Sequence, residues 1–95
     1  MLTWLVTYHC KPGQRAAFCK AIAELGVRET STHETGNMAY DYYLSAQDDD
    51  ALLLVESWTD SAAQAAHTWT DTFAQLQKIK EQYCDNVDID KYERD

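Results

Sequence analysis

The run Leu52-Leu53-Leu54-Val55 inside "ALLLVESW" (51–58) constrains the fold more than any other stretch. It is short, bounded by the polar "AQDDD" (46–50) on one side and Thr59-Asp60 on the other, and therefore reads as a strand. Successive side chains of a strand point to opposite faces, so an unbroken apolar run needs a cover on both. Helices packed on one side of a sheet leave the other side of this strand wet. A second copy of the same sheet would cover it.

The neighbouring segments supply the rest of the layer. "LTWLVTYH" (2–9) alternates large groups at Leu2, Trp4, Val6 and Tyr8 and reads as a first strand. "KPGQ" turns the chain, and Phe18, Ile22 and Leu25 with Ala17 and Ala21 predict an amphipathic helix over about residues 14–29. "STHETGN" (31–37) carries no apolar period and reads as a loop. Beyond it Met38, Tyr40, Tyr42 and Leu44 fall on one strand face. After the apolar strand, Asp60 is an expected N-cap, and Ala62, Ala63, Ala65 and Ala66 favour a short helix with Ala63 and His67 on one side. Thr70 is placed to cap a further helix whose Phe73, Leu76, Ile79 or Lys80, and Tyr83 recur at helical spacing. "NVDIDKY" (86–92) alternates again and closes the sheet.

Strand, helix, strand, strand, helix pair, strand is the order of an α+β, ferredoxin-like split βαβ fold, a four-stranded antiparallel sheet with helices on one face. The 95 residues read as one domain, 1–95, near the low end of what buries a self-sufficient core. Together with the doubly apolar strand, that predicts a homodimer with two sheets face to face, a dimeric α+β barrel.

Charge and cysteine usage narrow the partners. Sixteen acidic against eight basic residues, with no basic cluster, predict that nucleic acid is not a partner. No apolar run approaches the roughly 20 residues of a membrane span, and "MLTWLVTYH" lacks a basic leader, so a soluble, cytoplasmic protein is expected. Cys10, Cys19 and Cys84 form no C-x-x-C pair, which argues for reduced thiols and against a zinc ribbon. Cys10, between His9 and Lys11, is the one with cationic neighbours in sequence.

Taken in order, "KPGQRAAF", "ETGNMAYDYY", "LLLVESWTDSAAQAAH" and "TDTF" resemble the antibiotic biosynthesis monooxygenase family, whose members include quinol monooxygenases. The resemblance implies a small dimeric α+β barrel that works without flavin, metal or haem, the bound phenol or quinol itself reacting with dioxygen. It places His67, at the end of the short helix, at the substrate pocket and matches Trp58 to the tryptophan ending the third strand. The chain departs from many relatives at Gln64 and at Asp71 and Thr72, where some carry proline and histidine. Haem-degrading relatives have an asparagine and a histidine where this chain has Val6 and Gln77, which disfavours haem degradation.

The chemistry then asks for a base, since a phenolate gives up an electron to dioxygen far more readily than a phenol. Histidine, ordinarily with a pKa of about 6.5, suits that role, and His67 is the catalytic candidate. Trp58, Tyr40, Trp69 and Phe73 are candidate substrate-binding walls, and Tyr42 shares a face with Tyr40. Glu56, a carboxylate within the apolar strand, is either a second acid or base or one half of an ion pair across the dimer. His9 and His33 read as solvated, and "DDD" (48–50) as a polar turn without a calcium pattern. The leading expectation is a quinol-type monooxygenase with a small aromatic and dioxygen as partners and no cofactor or metal. Isomerisation of a small phosphorylated signalling sugar, and a non-catalytic dimeric ligand-binding or stress module, stand as alternatives.

Overall fold

The computed structural model describes residues 1–94, in the order β1 (Leu2–Cys10), α1 (Arg15–Leu25), α2 (Val27–Thr32), β2 (Asn37–Leu44), β3 (Ala51–Trp58), α3 (Ser61–His67), α4 (Asp71–Tyr83) and β4 (Cys84–Glu93). The strands form one sheet in the order β2-β3-β1-β4, every neighbouring pair antiparallel, which is the expected ferredoxin-like α+β arrangement.

Register decides which side chains meet the helices. Val6 lies opposite Leu54 and Tyr8 opposite Leu52, while Tyr40 and Tyr42 lie opposite Glu56 and Leu54. These residues and Trp58 share the face on which Phe18, Ile22, Val27 and Leu76 pack, and all but Glu56 and the partly buried Tyr42 belong to the hydrophobic core. The alternate residues Leu5, Leu53 and Val55 take the other face, where they are only half-buried, and Tyr43 is exposed. The double apolarity of β3 is thus answered by helices on one side and left open on the other within a single chain.

Four local expectations are corrected. The helix expected over 14–29 breaks at Gly26, whose φ of +75° is open to a residue without Cβ; its N–H caps the carbonyls of Ile22 and Ala23. The chain turns there, and α2 runs on to Thr32, into the segment read as loop, which buries Val27 and Ser31 one helical turn apart against the core. Met38 does not share the face of Tyr40. A bulge pairs Asn37 with Trp58 and Ala39 with Ser57, so Met38 is the unpaired extra residue and stands 57% exposed. Leu44, at the end of β2, is exposed as well. The last strand starts at Cys84, directly after α4, where a shift between His9 and Cys10 brings Cys10 opposite Cys84.

Candidate functional site

The site grows out of the end of β3. Trp58 is fully buried there, and two residues later the Asp60 carboxylate accepts the Ala63 N–H at 2.8 Å, starting α3 as expected. α3 is built largely of alanine and ends on His67, and the Thr70 hydroxyl both donates to the His67 carbonyl and accepts the Phe73 N–H that opens α4. The segment around Gly36 lies flush against this helix. Gly36 has φ +83°, its carbonyl accepts the Thr59 N–H at 2.8 Å, and a Cβ on it would stand 2.6 Å from the Ala63 Cβ. Only glycine permits that approach, and the approach delivers Glu34 to His67.

His67 Nδ1 and Glu34 Oε1 are 2.6 Å apart, with the histidine 3% exposed. A carboxylate only accepts, so opposite ionised Glu34 the imidazole donates through Nδ1, and in its neutral form leaves Nε2, which has no partner among the described residues, free to accept. The imidazole is held by three rings: Trp58 at 5.0 Å, Phe73 at 5.3 Å and Tyr40 at 5.6 Å between centroids. Such a pair can take a proton at Nε2 while the carboxylate stabilises the imidazolium.

His67 borders a cleft of about 170 Å³ between α3, α4 and the β1–β4 half of the sheet. Trp4, Val6 and Tyr8 of β1 and Val87 of β4 line its sheet side, Phe73 and Lys80 its helix side. An apolar cavity of about 150 Å³ takes a benzene ring, so the space suits one small aromatic. Two further ionisable groups border it. Glu56 is buried, its Oε1 accepting the Trp58 indole N–H at 2.8 Å; burial pushes its carboxyl above the usual range, against the opposing pull of that hydrogen bond and of His67 and Lys80. Lys80 is half-buried, and burial pulls its ammonium below the usual lysine range.

The residues singled out in the sequence separate here. Phe73 lines the cleft, whereas Trp58 and Tyr40 stand behind His67 and shape its surroundings without bordering the space. Trp69, two residues past the end of α3, is 85% exposed and does not line the cleft. Glu56 faces the cleft and the helices, not the open sheet face, so it is not placed for an ion pair there. His9 bonds Asp88 at 2.7 Å and His33 Nδ1 lies 2.6 Å from the Glu29 carbonyl, both at the surface. The Cys10 thiol is pushed up to about 12 by burial, with Cys84 adding to it, and is no nucleophile. Tyr42 borders a separate hollow of about 250 Å³ with Cys19, Ile22 and Arg28; its walls are mainly apolar, and the Arg28 guanidinium is engaged by Asp41 at 2.8 Å. The sequence reading missed Glu34 and Lys80. Glu34 sits in a polar loop without periodicity, two residues before the glycine that docks it.

Comparison with known proteins places this geometry. The chain is similar to a solved structure from Pseudomonas aeruginosa, at 29% identity over 98% of this chain and 92% of that one, with a TM-score of 0.87. A protein of Nitrosomonas europaea assigned to the antibiotic biosynthesis monooxygenases shares the fold at 24% identity over 99% and 98% of the two chains, TM-score 0.88. A conserved protein of Methanosarcina mazei Go1 shares it at 19% identity over 99% and 92%, TM-score 0.88. No curated protein matches the chain. The model of the family described as antibiotic biosynthesis monooxygenase matches residues 1–79, from the first strand through most of α4, and on that match the chain belongs to the antibiotic biosynthesis monooxygenase family.

Proposed function

We propose that this protein is a cofactor-independent monooxygenase that oxidises a quinol or related electron-rich aromatic with dioxygen. The observation that carries the reading is the buried His67, paired with Glu34 through Nδ1 and bordering a ring-sized cleft. The substrate hydroxyl gives its proton to Nε2, Glu34 holds the imidazolium that results, and the phenolate passes electrons to dioxygen. One oxygen atom enters the ring and the other leaves as water, the quinol supplying the electrons. Glu56, biased by burial toward its neutral acid, is placed to donate to a second oxygen of the substrate. Phe73 and the β1 side chains exclude water, and Trp58 and Tyr40 fix the base.

The working form is a homodimer joined through the open sheet face, a reading supported by Leu5, Leu53, Val55 and Tyr43 together on it. Sedimentation should give twice the chain mass, falling to one on Val55→Glu. The three free cysteines support a reducing, cytoplasmic setting.

Oxygen uptake over a panel of quinols, with His67→Ala beside the wild type, tests the activity. A positioned base contributes roughly 10² to 10⁴ in rate, and a wild type no faster than the variant on every substrate removes His67 from the mechanism. Lys80 in the cleft favours one second reading, isomerisation of a small phosphorylated sugar, because phosphate calls for a cation. Product formation under strict anaerobiosis would select it.

A further inference from the structure

The lysine of the cleft is set apart from the other seven cations of the chain by being unpartnered and yet half-buried; Lys78 and Arg94, which also have no side-chain partner among the described residues, are exposed. Lys11 bonds the carbonyls at the end of α4, Arg15 bonds three carbonyls near the β2–β3 turn, Arg28 and Lys20 face carboxylates, and Lys91 lies over the Trp4 ring. Lys80 has no hydrogen bond and no ion pair among the described residues. Its stem occupies the inward stripe of α4 with Phe73 and Leu76, and its Nζ sits 5.6 Å from the Phe73 centroid and 6.0 Å from that of Tyr8. A side chain of that kind ordinarily carries its charge out to water. Here the charge stays beside two rings at the rim of the cleft that His67 also borders.

We propose that Lys80 is a specificity-determining residue: its ammonium fixes a carboxylate on the same aromatic whose hydroxyl meets His67, so that the cleft selects hydroxylated aromatic acids over neutral quinols. The inference rests on the reading of the cleft as the substrate site. Both His67 and Lys80 border Phe73, with ring and ammonium 5.3 and 5.6 Å from its centroid, so one ligand lying along that ring reaches both. The net charge of −8 repels anions at long range, and a cleft that takes an acid therefore needs a cation at the contact itself. Glu56, the carboxyl on the same cleft, forms no ion pair with Lys80 among the described residues: its Oε1 is engaged by the Trp58 indole, and the two groups act on each other only at longer range. The Trp4 indole N–H, on another lining residue, is buried without an acceptor. Burial weakens the Lys80 ammonium, and an anion beside it would restore it.

Binding measured under nitrogen separates this inference from the oxygenation chemistry. The probes are 2,5-dihydroxybenzoate and its methyl ester, titrated by calorimetry into wild type, Lys80→Met and Lys80→Arg, with melting curves verifying that each variant is folded. The acid should bind wild type roughly tenfold to hundredfold more tightly than the ester, the range for a hydrogen bond between charged groups. Lys80→Met should erase most of that preference, and Lys80→Arg should keep it. An ester that binds as well as the acid, a preference for the acid that survives Lys80→Met, or no binding of either probe at millimolar concentration would overturn the assignment. If the preference tracks Lys80 and yet no oxygen is consumed in air, the oxygenase reading fails and the ligand assignment stands.

Discussion

Gly36→Ala should be among the most damaging single-methyl changes in this chain, and its size can be worked from two observations. Its φ of +83° strains any residue with a Cβ, at about 1 kcal/mol or somewhat more. The added Cβ would stand 2.6 Å from the Ala63 Cβ and 2.7 Å from the Thr59 Oγ1. The threonine hydroxyl can rotate away, but the Ala63 methyl cannot, so the loop and α3 must part by about 1 Å to reach the roughly 3.5 to 4 Å of an ordinary carbon contact. Overpacking of that kind costs about 1 to 3 kcal/mol. The sum, about 2 to 4 kcal/mol, is a large share of the roughly 5 to 14 kcal/mol typical for a domain of this size, and corresponds to a fall of about 10 to 30 °C in Tm. Ala63→Gly should cost about 1 kcal/mol through helix propensity when made alone, yet recover about 1 to 2 kcal/mol when combined with Gly36→Ala, since it removes the carbon that is struck. Urea unfolding followed by circular dichroism on the four members of this cycle measures the coupling. A coupling below about 0.5 kcal/mol would mean that the loop does not bear on α3 as described, and the delivery of Glu34 to His67 would lose its structural basis.

Glu34→Gln keeps the shape of the partner and removes its charge, so quinol turnover should fall by no more than the roughly 10² to 10⁴ expected for His67→Ala. The double variant should be no slower than His67→Ala alone, because the two side chains act as a unit; additive losses in steady-state oxygen uptake would separate them. Glu56→Gln tests the buried carboxyl. Its folded pKa is raised, so the stability it contributes is whole below the unfolded carboxylate value of about 4.3 and is lost as pH rises through the folded pKa. Glutamine does not titrate and still accepts the Trp58 N–H, so melting temperatures at pH 4 and pH 8 should shift in favour of the variant at the higher pH; a shift the other way would show a carboxylate stabilised as an anion. Trp69→Ala, at an exposed position, should change stability by less than about 0.5 kcal/mol and leave ligand binding unaltered in calorimetry.

What was legible in the sequence was whatever a period or a cap could report. The alternation of β1, the apolar run of β3 and the capping residues Asp60 and Thr70 each state their element within a few residues, and their order leaves one economical topology. Gly26 was not decisive, because Phe18, Ile22 and Leu25 keep a helical period up to it, and a glycine inside such a pattern reads equally as tolerated or as a cap. The bulge at Met38 was invisible for a related reason: Met38 continues the alternation of Tyr40 and Tyr42, and only pairing with β3 reveals the extra residue. Glu34 and His67 are 33 residues apart, and what joins them is a contact between a glycine and an alanine that no local pattern encodes. Trp69 misled because nearness in sequence is not nearness on a helix end.

The polar residues of the site also explain why it stands out from the rest of the core. A domain of 95 residues has little stability in reserve, and every buried polar group lowers it unless paired. Glu56 occupies a core-facing position of β3 between Leu54 and Trp58, where an aliphatic side chain would pack without penalty, and His67 and Glu34 are likewise enclosed by rings and backbone. Part of that penalty is offset inside the protein by the Trp58–Glu56 and Glu34–His67 hydrogen bonds. The remainder is not: Glu34 Oε2 and the Trp4 indole N–H are buried without partners, and Lys80 holds its charge beside two rings. Two of the four buried groups without a partner, Glu34 Oε2 and the Trp4 indole N–H, belong to residues at or beside the cleft, while Ser31 Oγ and Tyr42 Oη belong to residues that do not line it. It is the gathering of Glu56, His67 and Lys80 around one space that fits packing yielding to a ligand rather than packing that has failed.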